Sequence, residues 1–158
     1  QEKNKKMGTT IVTVATFDNQ VVVYNIGDSS AYGLTKDNKM NIVTVEDSFV
    51  GALISAGAIT QEEAKTHPER HVLTQALATR DSINLHTFID DLSNYDYFLL
   101  CSDGLTNMIE NEEIQDIVRN NELSISVEKL IELCVNRGGV DNISVAIIKN
   151  LGGVNHDK

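Results

Sequence analysis

Between Thr9 and Val45, four short runs of β-branched and apolar residues follow one another, separated by Asp, Asn and Gly. The runs are residues 9–17, 21–26, 31–34 and 40–45, with Asp18-Asn19, Gly27-Asp28 and Asp37-Asn38 between them. Runs this brief, bounded by turn formers, are strands rather than helices. Joined so tightly, they predict an antiparallel meander. The period then changes. Phe49, Val50, Leu53 and Ile54 share one helical face, with Gly57 where a C-terminal cap belongs. Thr60-Gln61-Glu62-Glu63 fits the capping box of a second short helix, which Pro68 ends. Strand signals return over 85–89 and 97–101. Two amphipathic helices follow, one turning Ile114, Ile117 and Val118 inward, the other Val127, Leu130, Ile131 and Cys134. A last strand covers 143–148. Blocks of strands with helices between them predict an α+β domain, helices covering antiparallel sheets. No repeat or linker interrupts the chain, so residues 1–158 read as one domain.

Charge narrows the function classes. Asp and Glu number 23 against 13 Lys and Arg, a formal net charge of −10. Such a surface repels phosphate backbones and anionic membranes, and without Trp there is little to stack on bases. Nucleic acid and membrane are therefore excluded as partners, whereas divalent cations fit the charge. Cys101 and Cys134 sit inside apolar runs and make no disulfide framework. The polar stub 1–6 carries no signal-peptide pattern, and no apolar stretch approaches the roughly 20 residues of a membrane span. A reduced, cytoplasmic protein is the expectation.

Three aspartates share one context. Asp28 follows an apolar strand in Gly27-Asp28-Ser29, Asp103 follows another in Ser102-Asp103-Gly104-Leu105, and Asp141 precedes the last strand in Gly138-Gly139-Val140-Asp141-Asn142. Each is a carboxylate at a strand end beside a small residue that permits close approach. Any one alone reads as a turn residue. If all three ends lie on one edge of the sheets, the carboxylates converge, and oxygen ligation of that kind suits Mg2+ or Mn2+. His67 and His71 have Pro68 between them and no third ligand, which argues against zinc. Ser126-Val127-Glu128-Lys129 matches a Ser-x-x-Lys pattern without its partner motifs, and Ser126 reads instead as a helix cap.

Met7-Gly8-Thr9-Thr10, Asn25-Ile26-Gly27-Asp28-Ser29-Ser30-Ala31-Tyr32, Leu100-Cys101-Ser102-Asp103-Gly104-Leu105-Thr106 and Gly138-Gly139-Val140-Asp141-Asn142-Ile143-Ser144-Val145 occur in that order. In series they resemble the signature blocks of bacterial type 2C (PPM-type) metal-dependent protein serine/threonine phosphatases. The resemblance implies a four-layer αββα fold, an antiparallel β-sandwich flanked by helices, with a flap at about 47–73. It implies hydrolysis of phosphoserine and phosphothreonine in proteins by a metal-activated water, with two Mn2+ or Mg2+ ions and a third, weaker site. Asp103 and Asp141 would be metal ligands, Asp28 would join Asp103 at the third site, and Asn142 would orient Asp141 or a metal-bound water. Phosphoproteins, the targets of a cognate serine/threonine kinase, would be the substrates.

The resemblance also implies that this chain is the C-terminal two-thirds of such a domain. The family's Asp-Gly-Met-Gly-Gly metal motif and its phosphate-gripping Arg would lie upstream, leaving this chain alone inactive. Three departures fall in and beside the flap: Glu46-Asp47-Ser48 where Asp-His-Ser is common, His71 where Asn is common, and Gln75 where Arg is frequent. The rival expectation is a non-catalytic, phosphatase-like binding module.

Overall fold

The computed structural model describes residues 7–79 and 82–152, so the stub 1–6 lies outside the described residues. Strands β1 (Ile11–Phe17) and β2 (Gln20–Ile26) form a hairpin, in register from Phe17 opposite Gln20 to Ile11 opposite Ile26. Its two-residue turn needs a left-handed residue, and Asp18 supplies one at φ 51.

At Gly27 the chain leaves this sheet. Its φ is +101, and a Cβ there would lie 2.3 Å from Thr10 Cγ2, so glycine is the residue that fits. The expected meander is corrected at this point. Strand β3 (Ser30–Thr35) crosses into a second sheet, joined by β4 (Met40–Ile42). Strand β5 (His86–Asp91) returns to β2, while β6 (Tyr95–Cys101) and β7 (Val145–Lys149) extend the second sheet. The orders are β1-β2-β5 and β4-β3-β6-β7, with every pair antiparallel. Side chains splice the sheets at this corner. Asn25, buried at the end of β2, donates through Nδ2 to the Val45 carbonyl (2.6 Å) and accepts the Val45 N–H (3.2 Å).

Alternation along β6 explains why two layers form on it. Phe98 and Leu100 face the three-stranded sheet, packing with Val21, Val23, Ala31 and Val43. Leu99 and Cys101 point the other way, toward helices α3 (Asp103–Thr106), α4 (Asn111–Asn120) and α5 (Leu123–Asn136). There they meet Leu105, Ile114, Val118, Leu130 and Cys134. Each such side chain contributes about 1.5–3 kcal/mol when fully buried. Gly33 on β3 makes room for the Tyr95 ring, whose Cε1 would stand 2.4 Å from a Cβ there.

The predicted inward face of α4 holds, whereas on α5 Leu130 and Cys134 are buried, Leu133 packs beside them, and Val127 and Ile131 are half-buried outside the core clusters. Helix α5 begins three residues before Ser126, which is buried inside it and donates to the Ile117 carbonyl (3.2 Å). Ser126 therefore ties α5 to α4 and caps nothing. Helices α1 (Phe49–Ser55) and α2 (Gln61–Lys65) lie in the insertion between the sheets' strands. After α1, the Gly57 N–H reaches the Ile54 carbonyl (2.9 Å) and the Ala58 N–H the Leu53 carbonyl (2.9 Å), a Schellman ending with Gly57 at φ +68. The capping box of Thr60 and Glu63 is present as expected.

Candidate functional site

Strand pairing brings the three aspartates to one end of the sheets. The β3–β6 ladder closes with Ser30 opposite Cys101, and two residues further along both chains lie Asp28 and Asp103. On the other side of β6, the Ser102 N–H donates to the Ser144 carbonyl (3.1 Å) and Ser102 Oγ to the Asn142 carbonyl (3.2 Å). Gly104 lets this segment close in, since a Cβ there would sit 2.3 Å from the Asn142 carbonyl oxygen. The loop carrying Asp141 is thus laid against the start of α3.

Asp103 is the first residue of α3, a four-residue helix that sequence periodicity could not reveal. Its Oδ2 accepts a long bond from Asn107 Nδ2 (3.4 Å). Asp141 is exposed, and its Oδ1 accepts the Asn142 N–H (2.7 Å). Asn142 thus meets Asp141 through its backbone amide. Asp28 is half-buried, held from both flanks. The preceding Gly27 is bonded to Asp47, and the following Ser29 shares a 2.8 Å hydroxyl contact with Thr10. Burial pushes the Asp28 carboxyl above its ordinary value, and the negative charges of Asp103, Glu46 and Asp141 push it the same way. Four carboxylates therefore share one field. Among the described residues, however, no three Asp, Glu, His or Cys side chains are grouped to hold a metal ion by themselves. The donors are hard oxygens, right in kind for Mg2+ or Mn2+ and short in number.

The sequence reading missed Asp47 as a structural centre. It is 8% exposed, and its carboxylate accepts from Gly27 N–H (2.9 Å) and Gln75 Nε2 (3.0 Å) and pairs with His86 Nε2 (2.7 Å). Burial alone would raise its pKa. The Gly27, His86 and Gln75 bonds outweigh that and hold it below the ordinary carboxylate value. The available signal was its place in the departure Glu46-Asp47-Ser48. Both thiols are buried, and burial disfavours the thiolate: it pushes Cys101 up to about 12, and Cys134 is also raised.

The family model for Protein phosphatase 2C matches residues 1–138. The chain belongs to the protein phosphatase 2C family. Protein phosphatase PhpP of Streptococcus pneumoniae is 40% identical over 148 residues, covering 93% of this chain and 60% of PhpP. The crystal structure of serine/threonine phosphatase Stp1 from Staphylococcus aureus superposes with a TM-score of 0.86 at 36% identity, covering 94% of this chain and 58% of Stp1. The catalytic domain of the serine threonine protein phosphatase PstP, in complex with 2 manganese ions, matches at 32% identity and a TM-score of 0.76, over 89% of this chain and 57% of that one. The chain thus spans about three fifths of the length of these protein phosphatase 2C relatives. Helices cover one face of the four-stranded sheet, and this α+β arrangement superposes on Stp1. Among the described residues no helix is long and apolar enough to cross a membrane.

Proposed function

We propose that the protein to which this chain belongs hydrolyses phosphoserine and phosphothreonine in proteins, with Asp28, Asp103 and Asp141 holding Mn2+ or Mg2+. The observation that carries the reading is the shared end of β3, β6 and β7 from which Asp28, Asp103 and Asp141 extend, with burial and the neighbouring carboxylates disfavouring the charge of Asp28. A cluster of this kind is stabilised by a cation. Divalent ions held there supply charge neutralisation and a lowered water pKa. This chain's residues provide the frame. Thr10 and Asp47 hold the Asp28 loop from its two sides, α3 presents Asp103, and the Asn142 N–H fixes one oxygen of Asp141. The same reading sets the protein in the cytoplasm, acting on the targets of a serine/threonine kinase.

A second reading, a phosphatase-like binding module, draws on the absence among the described residues of a ready three-residue metal group. One experiment separates the two. In a protein spanning the whole domain, Asp103→Asn and Asp141→Asn are each expected to abolish release of phosphate from a phosphothreonine peptide with Mn2+. The circular dichroism spectrum is expected to stay unchanged. Turnover near that of the unsubstituted protein would remove these residues from the reaction. A protein inactive before substitution would favour the binding module.

A further inference from the structure

Segment 47–73 is closed at its base by a short antiparallel pairing. Ser48 bridges Leu73, the Phe49 N–H donates to the Val72 carbonyl (2.8 Å) and the Thr74 N–H to the Asp47 carbonyl (2.8 Å). Asp47 stands at that closure and bonds to the β2–β3 corner twice. Its N–H donates to the Gly27 carbonyl (3.0 Å), and its Oδ2 accepts the Gly27 N–H (2.9 Å). Both polar groups of the residue preceding Asp28 are thereby tied to one side chain and its backbone.

Three elements contribute donors to that carboxylate. Gly27 comes from the corner, Gln75 from the loop after the insertion, and His86 from the first residue of β5. Gln75 is itself fixed, donating to the Asn84 carbonyl (2.7 Å) and accepting the Asn84 N–H through Oε1. Two of the departures noted in the sequence, Asp47 and Gln75, are thus bonded to each other. A histidine is present at the node, but β5 brings it.

We propose that Asp47 is a positioning residue that couples closure of segment 47–73 to the placement of Asp28. This deepens the metal reading of Asp28 and rests on it for its functional meaning. Gly27 transmits this coupling. That residue has no conformational substitute at φ +101, so the direction in which the chain emerges toward Asp28 follows the peptide groups that Asp47 grips.

The test is two-dimensional NMR on a protein spanning the whole domain, comparing it with Asp47→Ala, Asp47→Asn and Asp47→Glu. In Asp47→Ala the Gly27 amide is expected to exchange at least tenfold faster, and the Asp28 and Ser29 amide resonances to move, while Leu99 and Leu130 stay protected. Asp47→Asn keeps one oxygen for Gly27 and is expected to restore most of that protection. Should Asp47→Ala not fold, Asp47→Glu serves. It keeps the charge but pushes the oxygens out by one methylene, and the Gly27 and Asp28 resonances are expected to move there too. Unchanged Gly27, Asp28 and Ser29 resonances in a folded Ala or Glu variant overturn the proposal. Mn2+ titrated into the same samples, with Asp28→Asn alongside, isolates the metal reading. Broadening at Asp28 and Asp103 that Asp28→Asn removes and Asp47→Ala weakens about tenfold supports both. Broadening untouched by Asp28→Asn, or none at all, counts against Asp28 as a ligand and leaves the amide result to decide the role of Asp47.

Discussion

Replacing Gly104 with alanine is expected to disturb the loop bearing Asp141 without touching any aspartate. The new Cβ would stand 2.3 Å from the Asn142 carbonyl oxygen and 3.1 Å from its carbon. That is about 1 Å inside ordinary van der Waals contact. Neither side yields cheaply, because Gly104 is buried in α3 and the opposing atoms are backbone. If the loop stays, overpacking strain costs about 1–3 kcal/mol. If it retreats, Ser102 Oγ loses its bonds with the Asn142 carbonyl (3.2 Å) and the Ser144 N–H (3.0 Å). Two such bonds are worth about 1 kcal/mol each, so both routes arrive near 2 kcal/mol. In a domain of 158 residues that lowers Tm by about 4–8 °C. Thermal melts followed by circular dichroism give the shift, and amide resonances of residues 141–144 distinguish retreat from strain. A Tm within about 1 °C of the unsubstituted protein, with those resonances in place, would refute the close-approach argument.

Three further outcomes are expected. The Asp47 carboxyl is held below its unfolded value, so its bonds contribute fully above the ordinary carboxylate range near about 3.9 and are lost as pH falls through the depressed folded value. Urea midpoints measured from neutral pH into acid should therefore decline less steeply in Asp47→Asn, and equal slopes would contradict the assignment. Leu130→Ala removes a fully buried side chain between α5 and the four-stranded sheet, at a cost of about 2–5 kcal/mol in urea denaturation. A loss below 1 kcal/mol by the same measure would mean that the cavity collapses. Amides in segment 47–73 should exchange faster than those of β6, because α1 and α2 each bury a single residue, Val50 and Ala64. Equal protection would show that this segment is not a separate flap.

Most strands were legible as short apolar runs bounded by turn formers, a pattern of local chemistry, although β4 stops at Ile42 where the run continues to Val45. Partnership was not legible. Nothing in residues 21–45 says that β2 and β3 part company at Gly27, where the close neighbour that requires glycine is Thr10, just before β1. Helix α3 escaped notice because four residues show no period. The Ser126 assignment failed because the carbonyl it serves lies on α4, outside its own segment. Asp28, Asp103 and Asp141 were singled out by their shared strand-end setting, a feature of short windows, and strand pairing sets them at one end of the sheets. Asp47 was passed over because its importance comes from Gly27, Gln75 and His86, spread over 59 positions of the chain and gathered only in three dimensions.

The central place of β6 between β3 and β7 has a consequence for the order of assembly. The β1–β2 hairpin closes over two residues and can form early from neighbours in the chain. Asp28 and Asp103 approach only after β6 has found β3, and Asp141 joins only when β7 docks on the opposite side. These are long closures, costly in chain entropy before any contact repays them. The end of the sheets that carries the aspartates is therefore expected to be built last, after most of the barrier has been crossed. A cation that recognises only the completed end would then leave the refolding rate nearly unchanged and slow unfolding instead.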